Sequence, residues 1–191
     1  KNLKGELVCV NPFPSMPLKF WNDRNNVKLK NAYFNKYKNI WHHGDYAEVK
    51  SNSGFIIYGR SDTTLNPGGV RLGTAEIYSE VEKFIEIKEA LAVGQSWDND
   101  IRIVLFIIMN KKYNISDSLL KKIKKQIRNN ASPRHVPSKI IVVKDIPRTK
   151  SGKIVELAVK NTIEGSEIKN KEVLANPSVL EEYKNLRELK Y

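Results

Sequence analysis

The sequence is poor in residues that cross-link a chain or bind a metal. It has one cysteine, Cys9, and three histidines among 191 residues. A single cysteine cannot form an internal disulfide, and no spacing of cysteines and histidines suits a metal site. Both features are typical of a reducing compartment, so we expect a cytoplasmic protein without a metal site in this chain.

Long hydrophobic runs are also absent. The longest apolar stretch, residues 101–109, contains Arg102. It is far shorter than the roughly 20 residues that a membrane-spanning helix needs. The first residues, Lys1 to Gly5, have neither the layout of a signal peptide nor an initiator Met. We therefore expect no membrane partner.

Positive charge is in excess: 33 Lys and Arg stand against 21 Asp and Glu, which gives a net charge of +12. Such an excess suits nucleic acid or a phosphate-rich ligand. Much of it lies in dispersed lysines and in a cluster at 121–125 on a predicted helix. Because no recognition-helix pattern or aromatic RNA-binding signature accompanies the charge, we expect no nucleic-acid partner.

The first sixty residues are typical of short strands and turns. Strands are predicted at 5–10, 46–49 and 54–59, and the last two form a hairpin around the polar turn 51–53. No helix long enough to cover these strands is predicted. The segment therefore looks like the end of a larger β-rich domain.

The rest of the chain mixes helical and strand patterns. Helices are predicted to begin at Thr74, as the N-cap, and at Ser116–Asp117, and a short helix follows Asn176-Pro177-Ser178. Their apolar faces are Ile77, Val81 and Phe84 in the first, and Leu119 or Leu120, Ile123 and Ile127 in the second. Strands are predicted at 90–93, 101–109 and 139–143, with a turn at 98–100.

These patterns predict an α+β protein in which helices flank a short sheet. The predicted organisation has four parts. They are the incomplete end of a large N-terminal domain at 1–60, a hinge at 61–64, a mobile C-terminal α+β domain at 65–165 and a C-terminal extension at 166–191.

One candidate site contains Asp45, which follows Gly44 at the expected start of a strand. A carboxylate there can accept hydrogen bonds from a pair of hydroxyls on a ligand. Taken alone, an aspartate in a β-turn is the more common explanation. The adjacent His42 and His43 are more typical of packing or solvated residues than of metal ligands, because no third ligand lies nearby.

The segment 59–73 combines glycines, a proline and charged residues. Gly68 and Gly69 allow a backbone to approach a ligand closely, and Arg60 and Arg71 can hold a phosphate or carboxylate. The segment lies where the strand-rich part gives way to the α+β part, so Asp62 can mark a hinge. An ordinary linker is the alternative.

The third candidate is Lys153, at the end of Pro147-Arg148-Thr149-Lys150-Ser151-Gly152-Lys153. A Walker phosphate loop is excluded, because the glycine that it requires five residues before Gly152 is Pro147. What remains is a lysine on a Ser-Gly turn, able to neutralise charge that forms on a phosphate or carboxylate. Taken alone, a solvated surface lysine is the commoner explanation.

The order and spacing of the three segments resemble the end of the acyl-adenylate-forming superfamily, which includes acyl-CoA synthetases, luciferases and peptide-synthetase adenylation domains. The loop 65–76 looks most like the branch of acetyl-CoA and acetoacetyl-CoA synthetases. Further strings favour the members that use acetoacetate. They are 12–17, 20–23, 132–137, and the tail with Val159-Lys160 and Asn176-Pro177.

The resemblance implies roles for single residues on the nucleotide side. Asp45 would bind the ribose hydroxyls of ATP or acyl-AMP, with Arg60 assisting. Asp62 would be the hinge about which the C-terminal domain rotates between half-reactions. Lys153 would be the catalytic lysine that stabilises the forming acyl-adenylate. His43 replaces the threonine that usually precedes the Gly-Asp pair.

On the CoA side, the resemblance implies that the Gly68-Gly69 backbone lines the pantetheine tunnel and that Arg71 approaches the CoA phosphates. Where the acetyl-CoA branch has an arginine near the nucleotide end of CoA, this chain has Lys124, with Arg128 one turn further on. Either residue could make that contact.

The resemblance also implies cofactors and partners. ATP with Mg²⁺, CoA and acetoacetate would give acetoacetyl-CoA, AMP and pyrophosphate. The family's phosphate loop, adenine pocket and acyl pocket are not found in this sequence, so we expect the missing domain to bind most of the Mg²⁺–ATP and this chain to be inactive by itself.

Related synthetases are switched off by lysine acetyltransferases, and Lys153 would be the target. A synthetase for another short-chain acyl or 3-keto acid, and a non-catalytic CoA- or nucleotide-binding module, are the alternatives.

Overall fold

The computed structural model describes residues 2–168 and 171–191. The chain divides into two compact units, of which unit 1 ends at Asp62 and unit 2 begins at Thr63. Each unit builds its own three-stranded sheet and packs helices on it. The predicted α+β class is therefore confirmed.

Unit 1 is built on the antiparallel strands β1 (Lys4–Cys9), β2 (Trp41–Val49) and β3 (Phe55–Arg60), in that order. The predicted hairpin is confirmed: β2 and β3 pair around a turn in which the Lys50 N–H donates to the Gly54 carbonyl at 2.8 Å. The expected start of β2 near Asp45 was wrong. β2 begins at Trp41 because it pairs with β1 there, which places Asp45 inside the strand.

A short helix in unit 1, α1 (Val27–Tyr33), was not predicted. Its length is below what an isolated helix needs for stability in water, so tertiary packing must hold it. Leu29 is buried, and the Tyr33 ring stacks on Trp41 with 3.6 Å between ring centroids. The Asp23 carboxylate accepts the N–H groups of Lys28 and Leu29 at the start of the helix.

Unit 2 is built on β4 (Ile87–Trp97), β5 (Asp100–Met109) and β6 (Lys139–Val142). β4 and β5 form an antiparallel hairpin, and β6 runs parallel to β5. The two turn residues, Asp98 and Asn99, have φ of 49° and 59°. Positive φ at both positions is what a two-residue hairpin turn of type I′ requires, so the predicted turn is confirmed. β4 begins three residues before the predicted Ala90.

The helices of unit 2 are α2 (Thr74–Val81), α3 (Asp117–Asn130) and α4 (Glu156–Ile163). α3 agrees with its prediction: the Ser116 Oγ caps it by accepting the Leu119 N–H at 3.2 Å. Its buried face contains Leu119, Ile123 and Ile127, which settles the choice between Leu119 and Leu120.

The predicted N-cap of α2 was wrong by one residue. Thr74 is the first helical residue and is buried, and the N-cap is Gly73, whose N–H donates to the Glu76 carboxylate at 3.2 Å. Phe84 lies beyond the end of the helix, where its N–H donates to the Val81 carbonyl. α4 was not predicted at all.

The sheet of unit 2 has an apolar core on each face, because successive residues of a strand point to opposite sides. On one face, α2 and α3 cover residues that include Ala92, Ile103 and Leu105. On the other face, α4 and the C-terminal residues cover a second set that includes Leu91, Val93 and Phe106.

The described residues 171–191, here called the tail, belong to this second core. They form the 3₁₀ turns Lys171–Val173, Pro177–Tyr183 and Arg187–Leu189. The predicted short helix after residue 176 is thus found in 3₁₀ form. Buried tail side chains are Leu174, Leu180, Tyr183 and Leu189. Of the predicted extension 166–191, Lys169 and Asn170 lie outside the described residues.

A buried arginine ties the end of the tail to the hairpin. The Arg102 guanidinium donates to the carbonyls of Leu189 at 2.6 Å and Tyr191 at 3.0 Å, and its Nε donates to Gln95 at 2.8 Å. It also lies 3.7 Å from the centre of the Trp97 ring. Burial lowers the pKa of Arg102, and these acceptors offset the cost of removing the charge from water.

Candidate functional site

In unit 1, an oriented carboxylate occupies the end of the β2–β3 pair. Asp45 lies opposite Arg60 in the register of the two strands. One carboxylate oxygen is 3.3 Å from Nη1 of Arg60, and the other is 2.6 Å from Nδ1 of His43. Nη1 of Arg60 also donates to the His43 carbonyl at 3.2 Å. The Asp45 side chain is only 19% exposed, so these two partners fix the direction of its oxygens.

Gly44 makes this arrangement sterically feasible. Its φ of +86° lies in the region that disfavours residues with a Cβ. A Cβ at this position would lie 2.7 Å from Nη2 of Arg60 and 3.0 Å from Nη1. The guanidinium therefore lies against the bare glycine backbone, which is a reason for the Gly-Asp pair that goes beyond turn formation.

His43 contacts Asp45, and this contact is not predicted from the sequence. It stands two residues before Asp45 on the same strand, so both side chains point to the same side of β2. That spacing was the available signal, but it was hidden because the strand was expected to start later. His42 points the other way and contacts Glu6 at 3.0 Å. Among the residues that the structure describes, no group of three or more His, Cys, Asp or Glu could hold a metal ion.

A groove of about 550 Å³ lies next to Arg60 in unit 1. Its walls include Tyr33, Trp41, His43, Gly44, Arg60 and Asp62. The Asp62 carboxylate lies 3.7 Å from Nε of Arg60, so the guanidinium stands between two carboxylates. Asp45 approaches this guanidinium without itself lining the groove. The groove is thus lined by aromatic rings and by an arginine that contacts two carboxylates.

In unit 2, the glycine loop is anchored by an aspartate that was not predicted as a site residue. Gly68 and Gly69 have φ of +57° and +74°. The Gly68 N–H points at the Asp100 carboxylate, 2.9 and 3.0 Å from its two oxygens. The N–H groups of Ile101 and Gly68 lower the pKa of Asp100. Asp100 begins β5, and only the folded hairpin brings it to a loop some thirty residues earlier.

The predicted cations of unit 2 occupy different surroundings. Nε of Arg71 donates to the Thr64 hydroxyl at 3.0 Å. Lys124 is half-buried, with Nζ 3.4 Å from the Ser138 carbonyl, and Arg128 is exposed one turn further along α3.

Another arginine, Arg134, was not predicted as a site residue. A Cβ on Gly68 would lie 3.1 Å from Nη1 of Arg134, so this guanidinium borders the glycine loop. Arg134 lies in the string 132–137, which indicates the family resemblance and predicts no single site residue. Ser132 fixes the local turn by accepting the Arg134 N–H at 3.2 Å.

Lys153 projects from a tight turn. The Thr149 N–H donates to the Lys153 carbonyl at 2.8 Å, and the Lys153 N–H donates to the Thr149 hydroxyl at 3.1 Å. Gly152 takes a φ of +84° to close the turn. The Lys153 side chain is exposed, and among the described residues its Nζ has no acidic partner. The backbone is therefore braced while the charge is left available.

The base of this turn is fixed to the sheet. The Arg148 guanidinium forms an ion pair with Glu89 on β4, and its Nη1 lies 3.5 Å from the Gly152 carbonyl. One arginine thus joins the strand to the turn that carries Lys153. The chain accordingly presents an oriented carboxylate with an arginine in unit 1, and a glycine loop and an exposed lysine in unit 2.

Comparison with known proteins assigns this combination to a class. Residues 76–153 match the AMP-binding enzyme C-terminal domain. Residues 76–153 are therefore similar to the C-terminal domain of AMP-binding enzymes, and the resemblance to acyl-adenylate-forming enzymes is confirmed.

The proteins that are similar to nearly the whole chain have a more specific name than this domain family. The chain is 56% identical to the acetoacetyl-coenzyme A synthetase of Rhizobium meliloti (strain 1021), over 98% of this chain and 29% of that protein. It is 49% identical to the acetoacetyl-CoA synthetase of Xenopus tropicalis, over 97% of this chain and 28% of that protein. The solved acetoacetyl-CoA synthetase from Streptomyces lividans matches with a TM-score of 0.90 at 38% identity, over 100% of this chain and 29% of that one.

The chain thus spans less than a third of the length of these relatives and corresponds to their C-terminal portion. Within the part of the chain that the structure describes, no helix is long and apolar enough to cross a membrane.

Proposed function

We propose that this chain is the C-terminal part of an ATP-dependent acetoacetate–CoA ligase. In the first half-reaction, a carboxylate oxygen of acetoacetate attacks the α-phosphate of ATP and pyrophosphate leaves. In the second, the thiol of CoA attacks the acyl carbon of acetoacetyl-AMP and AMP leaves. The observation that carries the proposal is the exposed, braced Lys153 in a chain that is 56% identical to an acetoacetyl-coenzyme A synthetase.

Lys153 acts in the first half-reaction. The attacking carboxylate and the α-phosphate are both anions, so a cation placed between them lowers the barrier. The Thr149–Lys153 turn supports this role, since its hydrogen bonds fix the backbone and leave Nζ able to reach a substrate.

Asp45 binds the two ribose hydroxyls of ATP and of the acyl-adenylate. A carboxylate with both oxygens oriented can accept two hydrogen bonds from neighbouring hydroxyls. The contacts with His43 and Arg60 support this role, because they set the carboxylate before the ligand arrives. Arg60 assists from the side of the adjoining groove.

The glycine loop serves CoA in the second half-reaction. Gly68 and Gly69 leave the backbone bare, which lets a narrow pantetheine chain pass close to it. Arg71 approaches the CoA phosphates, and Lys124 or Arg128 contacts the nucleotide end. Arg134, which borders Gly68, supports an anionic ligand at this loop.

Asp62 is the hinge between the half-reactions. The two functional loops of unit 2 are anchored at opposite ends of one hairpin, the glycine loop at Asp100 and the Lys153 turn at Glu89. From Glu89 to Trp97, which pairs with Asp100, β4 extends roughly 25 Å at about 3.3 Å per residue. This separation supports a change in the orientation of unit 2 between the half-reactions. The position of Asp62 as the last residue of unit 1 supports it as the hinge.

Unit 1 is the end of a larger domain that supplies the phosphate loop and the adenine and acyl pockets. Large apolar side chains on its surface support this: Leu18 is 93% exposed, Trp21 89%, Phe55 61% and Ile57 48%. Mg²⁺ binds with ATP mainly in that larger domain. The 191-residue chain alone is inactive, and the single free Cys9 suits a cytoplasmic location.

The first prediction concerns Lys153→Ala in the full-length enzyme. Loss of the cation should lower the rate of acetoacetyl-AMP formation by roughly 10²- to 10³-fold. Thiolysis of supplied acetoacetyl-AMP should be nearly unchanged, because that step uses the other loop. The two half-reactions can be followed separately by pyrophosphate release and by thioester formation. Lys150→Ala, on the same turn, is the control, and equal loss of both half-reactions would contradict the role.

The second prediction concerns Gly44→Ala. The new Cβ must displace the Arg60 guanidinium, so ATP binding measured by calorimetry should weaken roughly tenfold or more. Gly5→Ala in β1 is the matched control, because a Cβ there meets nothing within 4 Å. Unaltered ATP affinity in Gly44→Ala would show that the Asp45–Arg60 pair does not bind the nucleotide.

The third prediction concerns the acid substrate. Across acetate, propionate, butyrate, acetoacetate and other 3-keto acids, the full-length enzyme should have its highest kcat/KM with acetoacetate. A higher value for another acid would favour a different short-chain synthetase. Binding of CoA or nucleotide without turnover of any acid would favour a non-catalytic binding module.

The fourth prediction concerns regulation by a lysine acetyltransferase. Acetylation removes the charge of a lysine, so modification of Lys153 should reproduce the loss caused by Lys153→Ala. Incubation with a lysine acetyltransferase and acetyl-CoA, followed by mass spectrometry and a half-reaction assay, checks this. Modification confined to other lysines would contradict it.

A further inference from the structure

The tail lies beyond the matched domain, residues 76–153, yet it runs alongside the turn that carries Lys153. Residues Thr149 and Leu174 form an antiparallel bridge. The Ala175 N–H donates to the Arg148 carbonyl at 2.8 Å, and the Lys150 N–H donates to the Val173 carbonyl at 3.2 Å. The tail therefore acts as a neighbouring strand for the first half of the turn.

Asn176 is the centre of this contact. Its Oδ1 accepts the Arg148 N–H at 2.9 Å. Its Nδ2 donates to the Asp145 carboxylate at 2.7 Å and to the Ile146 carbonyl at 3.0 Å. One side-chain amide thus satisfies three groups of the segment that leads into the Lys153 turn, using one acceptor and both donors.

Further along, the tail holds the same segment from its other end. The Tyr183 hydroxyl donates to the Asp145 carbonyl at 2.8 Å, and the Glu182 carboxylate accepts the Lys144 N–H at 3.0 Å. Tyr183 is fully buried, and its burial, with the charges of Glu182 and Asp145, raises its pKa. The segment 144–150 is consequently bonded to the tail at its start, in its middle and at its end.

We propose that Asn176 is a positioning residue for adenylation: with residues 173–175 it holds the Arg148–Lys153 turn in the position from which Lys153 reaches the reacting phosphate. This rests on the proposed function of Lys153. The Arg148–Glu89 ion pair ties the turn to β4 on one side, and Asn176 ties it to the tail on the other. Without Asn176, only the backbone contacts of residues 173–175 join the turn to the tail, so the turn gains freedom to move the ammonium group away.

The test uses Asn176→Ala in the full-length enzyme, with two readouts. Hydrogen–deuterium exchange in the peptide covering 148–153 should become faster, since the Arg148 N–H loses its acceptor. Formation of acetoacetyl-AMP should slow by roughly ten- to a hundredfold through kcat, while KM values and thiolysis of supplied acetoacetyl-AMP stay within about twofold.

The matched control is Leu189→Ala. Leu189 is a buried tail residue of the same core, and it has no hydrogen bond to 144–150 among the described contacts. This variant should lower the melting temperature without faster exchange at 148–153 and without separating the half-reactions.

Exchanging the amide and the carboxylate between positions 176 and 145 provides a rescue experiment. Asn176→Asp places a second carboxylate against Asp145 and should damage adenylation at least as much as Asn176→Ala. Adding Asp145→Asn restores a donor between the two positions and keeps the acceptor for Arg148, so the double variant should recover part of the lost rate. Such recovery supports positioning over a general loss of stability.

Three results would overturn the inference: unchanged exchange at 148–153 in Asn176→Ala, faster exchange with normal adenylation, or an equal fall in both half-reactions. Failure of the proposed function would give a different experimental result. In that case Lys153→Ala itself leaves adenylation intact, whereas exchange in Asn176→Ala still reports on the contact between the tail and the turn.

Discussion

The hairpin formed by β4 and β5 has two apolar faces, and the need to cover both decides the rest of unit 2. Burial of apolar area is the main driving force for folding, and a strand pair with both faces apolar must become a middle layer. α2 and α3 cover one face, and α4 and the tail cover the other. The tail is therefore part of the core and cannot be treated as an appendage.

The same hairpin sets the positions of the glycine loop and of the turn that carries Lys153. The Asp100 carboxylate at one end accepts the Gly68 N–H, and Glu89 at the other end pairs with Arg148. Both loops contain glycines at positive φ, and one presents a lysine without an acidic partner among the described residues. Glycines at positive φ and a lysine without an acidic partner do not stabilise a fold, and they are usual where a protein binds or reacts. The rigid sheet beneath holds such loops in place.

Local patterns predicted much of this architecture and missed what depends on distant contacts. The face of α3 and the turn at Asp98-Asn99 follow from periodicity and turn chemistry over a few residues. α1 has seven residues and depends on the Trp41 ring, so its sequence alone gave no signal. His43 and Asp100 escaped notice for the same reason, since each acquires its role only after strands have paired. The hinge at Asp62 and the assigned site residues stay predictions.

The chemistry of Asn176 explains why a neutral amide suits this position. The segment that it holds presents one N–H donor, one carbonyl and one carboxylate, and only an amide both accepts and donates twice at that size. A carboxylate there would repel Asp145 and would attract the nearby cationic turn. An ammonium group would add positive charge beside Arg148 and could not accept its N–H. Asparagine therefore fixes the backbone of the turn without adding a charge beside it.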